Sequence, residues 1–157
     1  MITAKIDSHQ PLNNVTHQEV KIITARHPDL GDNIAITTVF PVELNQLQAD
    51  FPLLMKKNSA GEFEMIALMG FAAGENLYFT DDGQWTASTV PLTMIRAPFL
   101  IGTEMTMTNG IPNETLVVHI DMDSPRISSS QGQPLFLPKG GNTDYLNYIT
   151  QVLMTIH

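Results

Sequence analysis

Apolar residues in this chain come in short bursts, separated by Pro, Gly, Asn and Asp. That spacing fits short strands joined by turns better than long amphipathic helices. Val20 to Thr24 and Ile34 to Phe40 predict strands, with His27-Pro-Asp-Leu-Gly-Asp-Asn33 as the loop between them. Leu53 to Lys57, a turn at Asn58-Ser-Ala-Gly61, and Glu62 to Met69 predict a hairpin. Leu77 to Thr80 predicts a short strand between turns at Ala73-Gly-Glu-Asn76 and Asp81-Asp-Gly83, and Pro91 to Ile95 a helical turn. Phe99 to Met107 and Thr115 to Ile120 predict strands around Asn109-Gly110, with Pro112 making their connection irregular.

Two segments change period. Pro41 to Asp50 places Leu44 and Leu47 three apart with Phe51 four further on, and Pro52 stops it, which predicts a helix near 41–50. Thr143 is placed to cap a C-terminal helix near 143–154, with Tyr145, Ile149 and Val152 on one face and Leu146 and Leu153 beside it. Ser124 to Gly141, with three prolines, reads as a long loop. The order predicts an α+β fold with a mainly antiparallel sheet of short strands, because parallel crossovers need regularly alternating helices. Residues 1–18 read as a polar N-terminal arm or a short edge strand, and 19–157 as a single domain.

The 157 residues suffice for one domain that buries its own core, and there is no cysteine. That excludes a disulfide framework, a thiol nucleophile and cysteine-ligated metal. Sixteen acidic against eight basic side chains give a net charge of −8, and the five lysines and three arginines are scattered. Nucleic acid is therefore not the expected partner. No apolar run reaches the roughly 18–20 residues needed to span a bilayer, so membrane insertion is not expected. The start of the sequence lacks a basic stretch followed by an apolar core, so the expected location is cytoplasmic, with export by another route left open.

The ordered series Phe40-Pro-Val, Asp50-Phe-Pro-Leu-Leu, Ile66-Ala-Leu-Met-Gly70, Gly74-Glu-Asn-Leu-Tyr-Phe79, Asp82-Gly-Gln-Trp85, Val90-Pro91 and Arg96-Ala-Pro-Phe99 resembles the SapC family of bacterial proteins. His27-Pro-Asp-Leu30 fits an early element of that family, and Ile120-Asp-Met-Asp-Ser-Pro-Arg-Ile127 and Gly132-Gln-Pro-Leu-Phe136 fit its later acidic segment. The likeness covers about Lys21 to His157. It implies an association with bacterial surface layers by name. It also implies a gene neighbourhood of outer-membrane receptors, cupin-like oxygenases and flavin-dependent halogenases. It attaches no reaction and no catalytic residue. Members are commonly longer, so the chain is expected to be a short form or to lack a C-terminal portion.

Several residues are candidates for chemistry. Glu75 and Asn76 either bond the amides of a glycine turn or face a ligand. Trp85, the single tryptophan, is either core or a partner anchor. Arg96 either closes an ion pair with an acidic turn such as Asp81–Asp82 or Asp121–Asp123, or recognises a carboxylate. His119, Asp121 and Asp123 project from one face if their segment is a strand, so a divalent metal is conceivable there. His119-x-Asp121 also has the spacing of a non-haem iron oxygenase pair, for which His157 would have to be the third ligand. The plainer reading is a strand end followed by turn-forming aspartates. Met105 and Met107 alternate on one strand face and either fill the core or line a greasy groove. No Gly-x-Ser-x-Gly elbow or phosphate loop is present. The residues favour an accessory or binding protein acting on a protein or peptide partner, without a cofactor. A metal-dependent enzyme and a surface-layer component stand beside that reading as alternatives. The oligomeric state is not specified.

Overall fold

The structure, a computed structural model, describes residues 8–157; the first seven residues of the polar arm lie outside it. In chain order the elements are β1 (His9–Pro11), β2 (Lys21–Ile22), β3 (Ile36–Thr38), α1 (Leu44–Leu47), β4 (Leu53–Lys57), β5 (Phe63–Leu68), α2 (Leu92–Ile95), β6 (Phe99–Thr108), β7 (Ile111–Asp121), β8 (Ile127–Ser128), β9 (Gln133–Pro134) and α3 (Asp144–Thr155). Among the described residues all strand pairs are antiparallel, in three three-stranded sheets ordered β1-β7-β6, β8-β2-β9 and β3-β5-β4. The fold is α+β. No helix among the described residues is long and apolar enough to cross a membrane.

The chain divides into two compact units. One is built from residues 24–95, the other from residues 8–23 and 96–155. The first holds the sheet β3-β5-β4. Its buried centre is Val39, Leu47, Phe51, Ala67, Met69 and Met94, with Tyr78, Trp85 and Val90 packed against it. The helix expected near 41–50 is shorter than its apolar spacing predicts. A 3-10 turn at Pro41–Glu43 leads into the single α-turn of α1. Glu43 explains the tight entry: one carboxylate oxygen accepts from Phe40 N at 3.0 Å and the other from Leu92 N at 2.8 Å. The expected strand at Leu77–Thr80 reduces to one isolated bridge between Phe79 and Trp85, because a turn at Asp81–Gly83 folds the segment straight back.

The second unit holds the other two sheets and α3. Its interior includes Ile22, Phe99, Ile120, Leu135, Leu146 and Ile149. The Thr143 hydroxyl accepts from Leu146 N and caps α3, whose Leu146, Ile149, Val152 and Leu153 form the buried stripe. The loop expected from Ser124 to Gly141 gives up two pairs of residues to strands, β8 and β9, which flank β2. β6 and β7 are longer than the sequence predicts. They pair without interruption from Phe99 opposite Ile120 to Thr108 opposite Ile111, across the two-residue turn Asn109–Gly110. Both turn residues have positive φ, the requirement of a tight hairpin turn. Pro112 does not break the ladder, since it sits in the row of β7 whose N–H groups face away from β6.

Candidate functional site

The family-like motifs of the first unit converge on their own loops. Asn76 is buried. Its side-chain amide donates to Asp32 O at 2.9 Å and its Oδ1 accepts from Tyr78 N at 3.0 Å. Glu75 turns back to accept from Phe71 N and Ala72 N. Gly70 has no room for a side chain, because a Cβ there would lie 2.6 Å from Glu75 O. Asp32 accepts from Arg26 and from His27 N, and the His27 ring covers Gly83 so closely that a Cβ would stand 2.5 Å from Nε2. Trp85 donates its indole N–H to Thr89 O and packs with Phe51, Tyr78 and Phe79. Asp50 closes this cluster by accepting from Ser88 Oγ, Thr89 N and Thr89 Oγ1. The Thr89 and Ser88 bonds hold its carboxyl below the ordinary aspartate value. Every polar contact of Glu75 and Asn76 given by the structure runs to the protein's own backbone or to Met69 Sδ.

In the second unit the remaining candidates separate. Arg96 donates to Phe99 O at 3.0 Å, and burial lowers its pKa from the ordinary arginine value. The ion pair expected with Asp121 or Asp123 is not formed. His119 lies on the same face of the β6–β7 pair as Gly102, where a Cβ would be 2.8 Å from its Nε2. That Nε2 is buried and has no hydrogen-bond partner. Asp121 spends Oδ1 on the backbone N–H of Asp123 at 3.0 Å, an Asx turn that ends β7. Among the described residues no three His, Asp or Glu side chains are grouped as metal ligands.

The larger feature is the outer part of the β6–β7 hairpin, which stands in solvent. Met105 is 70% exposed, Met107 69%, Ile111 68% and Leu116 44%. Met105, Met107 and Leu116 share one face, since directly paired residues point the same way and alternate along each strand. At the root of that face lies a cavity of about 350 Å³. Its lining mixes apolar residues, among them Leu12, Leu116, Phe136 and Leu146, with polar ones such as Asn13 and Asn142. The methionine alternation is the sequence signal of this face. The cavity has none, because its walls come from β7, from the turn after β1, from the loop before α3 and from α3 itself.

The backbone of the hairpin is open as well. β1 covers β7 only at residues 119–121, and Leu12 N adds one more bond to Val118 O. Asp121 N donates to Pro98 O, on the β6 side, whereas Met122 N donates to Ser8 O, on the β1 side. Odd-numbered residues of β7 therefore turn their N–H and C=O groups to β6 and even-numbered ones to the β1 side. Beyond Val118 the even row continues as Leu116, Glu114 and Pro112 with no strand beside it among the described residues. The arrangement can pair a further strand and take an apolar side chain into the cavity.

Among comparisons with known proteins, the family model described as SapC matches residues 12–157. No curated protein matches the chain. No solved structure matches it.

Proposed function

The chain belongs to the SapC family, and from that premise we propose that it is a non-catalytic accessory protein that binds a protein or peptide partner through the β6–β7 hairpin. One observation carries this reading: the paired strands β6 and β7 expose three large apolar side chains on one face beside a cavity. Isolated hairpins do not hold such faces out for stability, because an apolar face gains only when something covers it. The cavity volume lies within the roughly 300–1,000 Å³ of ligand sites. The buried Asn76 amide and the internal bonds of Glu75 favour structural roles for both, so the binding role moves from that motif to the hairpin. The unpartnered Nε2 of His119 favours, as a second reading, a metal-dependent role for that residue.

Affinity capture from extract of the native host tests the proposal. Wild-type protein is compared with a Met105→Ser/Met107→Ser variant of equal thermal stability. The expected outcome is a partner enriched by the wild type and lost, about tenfold or more, in the variant. Equal capture by both would remove the hairpin from the binding surface.

A further inference from the structure

We infer that the partner binds by strand addition: an extended, basic segment of another protein pairs with the open edge of β7, continuing the row that β1 begins. The inference rests on the hairpin as the binding surface and names what occupies it.

The backbone sets the position. β1 enters along β7 as far as Leu12, and there the chain leaves the edge. Asn13 Oδ1 accepts from Val15 N and Thr16 N, and His17 N donates to Asn13 O, so residues 13–17 curl into a turn. The next outward-facing groups, those of Leu116 and Glu114, are left without a strand. An incoming strand there forms closely spaced pairs with both and accepts no bond from Pro112, which has no N–H. Pro112 thus limits the length of the pairing. The outer edge of β6 lacks such an opening at its root, because Phe99 N donates to Arg96 O and Phe99 O accepts from the Arg96 guanidinium.

The side chains set the chemistry. A residue opposite Leu116 shares the face that leads to the cavity, and a residue opposite Glu114 lies two positions further along the same face. An antiparallel occupant therefore reads apolar-x-basic. From residue 97 to 125 the chain carries Glu104, Glu114, Asp121 and Asp123 and no lysine or arginine. A basic segment is complementary to that stretch, and an acidic one is repelled. A second copy of the chain is the less suited occupant. Two hairpins paired about Glu114 oppose like charges, two copies each carry a net charge of −8, and β4, an edge strand of its own sheet, ends in Lys56–Lys57, the kind of edge lysine that discourages pairing between copies.

The test uses the full chain and a fluorescein-labelled, end-blocked peptide, Thr-Ile-Thr-Lys-Thr-Val-Thr, read by fluorescence anisotropy. Three companions differ singly: the lysine replaced by glutamine, the lysine replaced by glutamate, and the amides of the isoleucine and lysine N-methylated. Strand addition predicts saturable binding of the parent peptide. It predicts about fivefold weaker binding of the glutamine form, weaker still for glutamate, and none for the N-methylated form. The Leu116→Pro variant removes one outward N–H, as Pro112 already does, and should lose binding; Glu114→Lys keeps the backbone and should reverse the preference between lysine and glutamate peptides. Equal binding of the N-methylated and parent peptides would overturn strand addition while leaving the hairpin as a side-chain docking surface. No binding of any peptide would overturn the basic-strand inference, and the capture experiment with the methionine variant would then decide the binding reading separately. Concentration-dependent self-association in sedimentation, abolished by Glu114→Lys, would name a second copy as the occupant and overturn the inference.

Discussion

Glycine at position 102 is required by what lies across from it. Its neighbour on the same face is the His119 ring, and a methyl group there would meet Nε2 at 2.8 Å and the adjacent ring carbon at 2.9 Å. Gly102→Ala is expected to cost about 1–3 kcal/mol, the usual range for forcing one extra group into a packed place. In a protein of this size that lowers Tm by several degrees. In the background of His119→Ala the same substitution should cost less than about 0.5 kcal/mol, because the clash has gone; thermal melts of the four proteins check this coupling. Melts with Fe(II), Mn(II), Zn(II) and Ca(II) use the same proteins to test the metal reading. A metal at about 100 times its dissociation constant adds roughly 2.7 kcal/mol to wild type and nothing to His119→Ala if Nε2 is a ligand. The His-x-Asp-x-Asp pattern was legible in the sequence as one strand face, and β7 does carry His119 and Asp121 on that face. What the pattern does not contain is the turn at its end, where Asp121 is committed to the amide of Asp123.

At the scale of elements, alternation and turn chemistry carried most of the information. The β4–β5 hairpin, the α2 turn and α3 with its Thr143 cap fall where the residues place them. The departures have local causes. Glu43 ties the start of α1 to Leu92, a contact 49 residues away that no window of sequence holds. The β6–β7 pair runs on through the connection that Pro112 was expected to make irregular, because a proline interrupts a ladder only when its missing N–H belongs to it. The open edge follows from the same alternation, and it predicts a pattern in hydrogen exchange. Amides of Asn113, Thr115 and Val117 point to β6 and should exchange about tenfold or more slowly than those of Glu114 and Leu116, which point outward. Exchange measured residue by residue by NMR checks this. Uniform protection along residues 113–117 would mean that the outward row is already covered. Uniform fast exchange would mean that the hairpin opens as a whole.

Over the whole molecule, charge is the property that bears on binding. Sixteen acidic and eight basic side chains leave an excess of eight negative charges, and the stretch from 97 to 125 contributes four acidic residues with no basic one. Composition alone made nucleic acid an unsuitable partner, and it is the placement of Glu104 and Glu114 on an exposed hairpin that favours a basic one. No motif could have supplied it, because glutamates at these positions look like ordinary solvent-facing residues until the edge beside them is known to be open. The consequence is a salt dependence of a particular form. The Debye length falls from about 10 Å at 0.1 M salt to about 3 Å at 1 M. Attraction that steers a lysine peptide to the hairpin is therefore lost over that range, while backbone pairing and burial of the isoleucine are not. Stopped-flow anisotropy should show the association rate of the lysine peptide falling several-fold between these salt concentrations, with the dissociation rate changing much less. The glutamine peptide should show a much smaller fall in both, since its contribution comes from the backbone and the cavity. A dissociation rate that rises as steeply as the association rate falls would instead mean that the cross-strand pair with Glu114 holds the bound lysine, and that the whole-molecule field has little part in steering it.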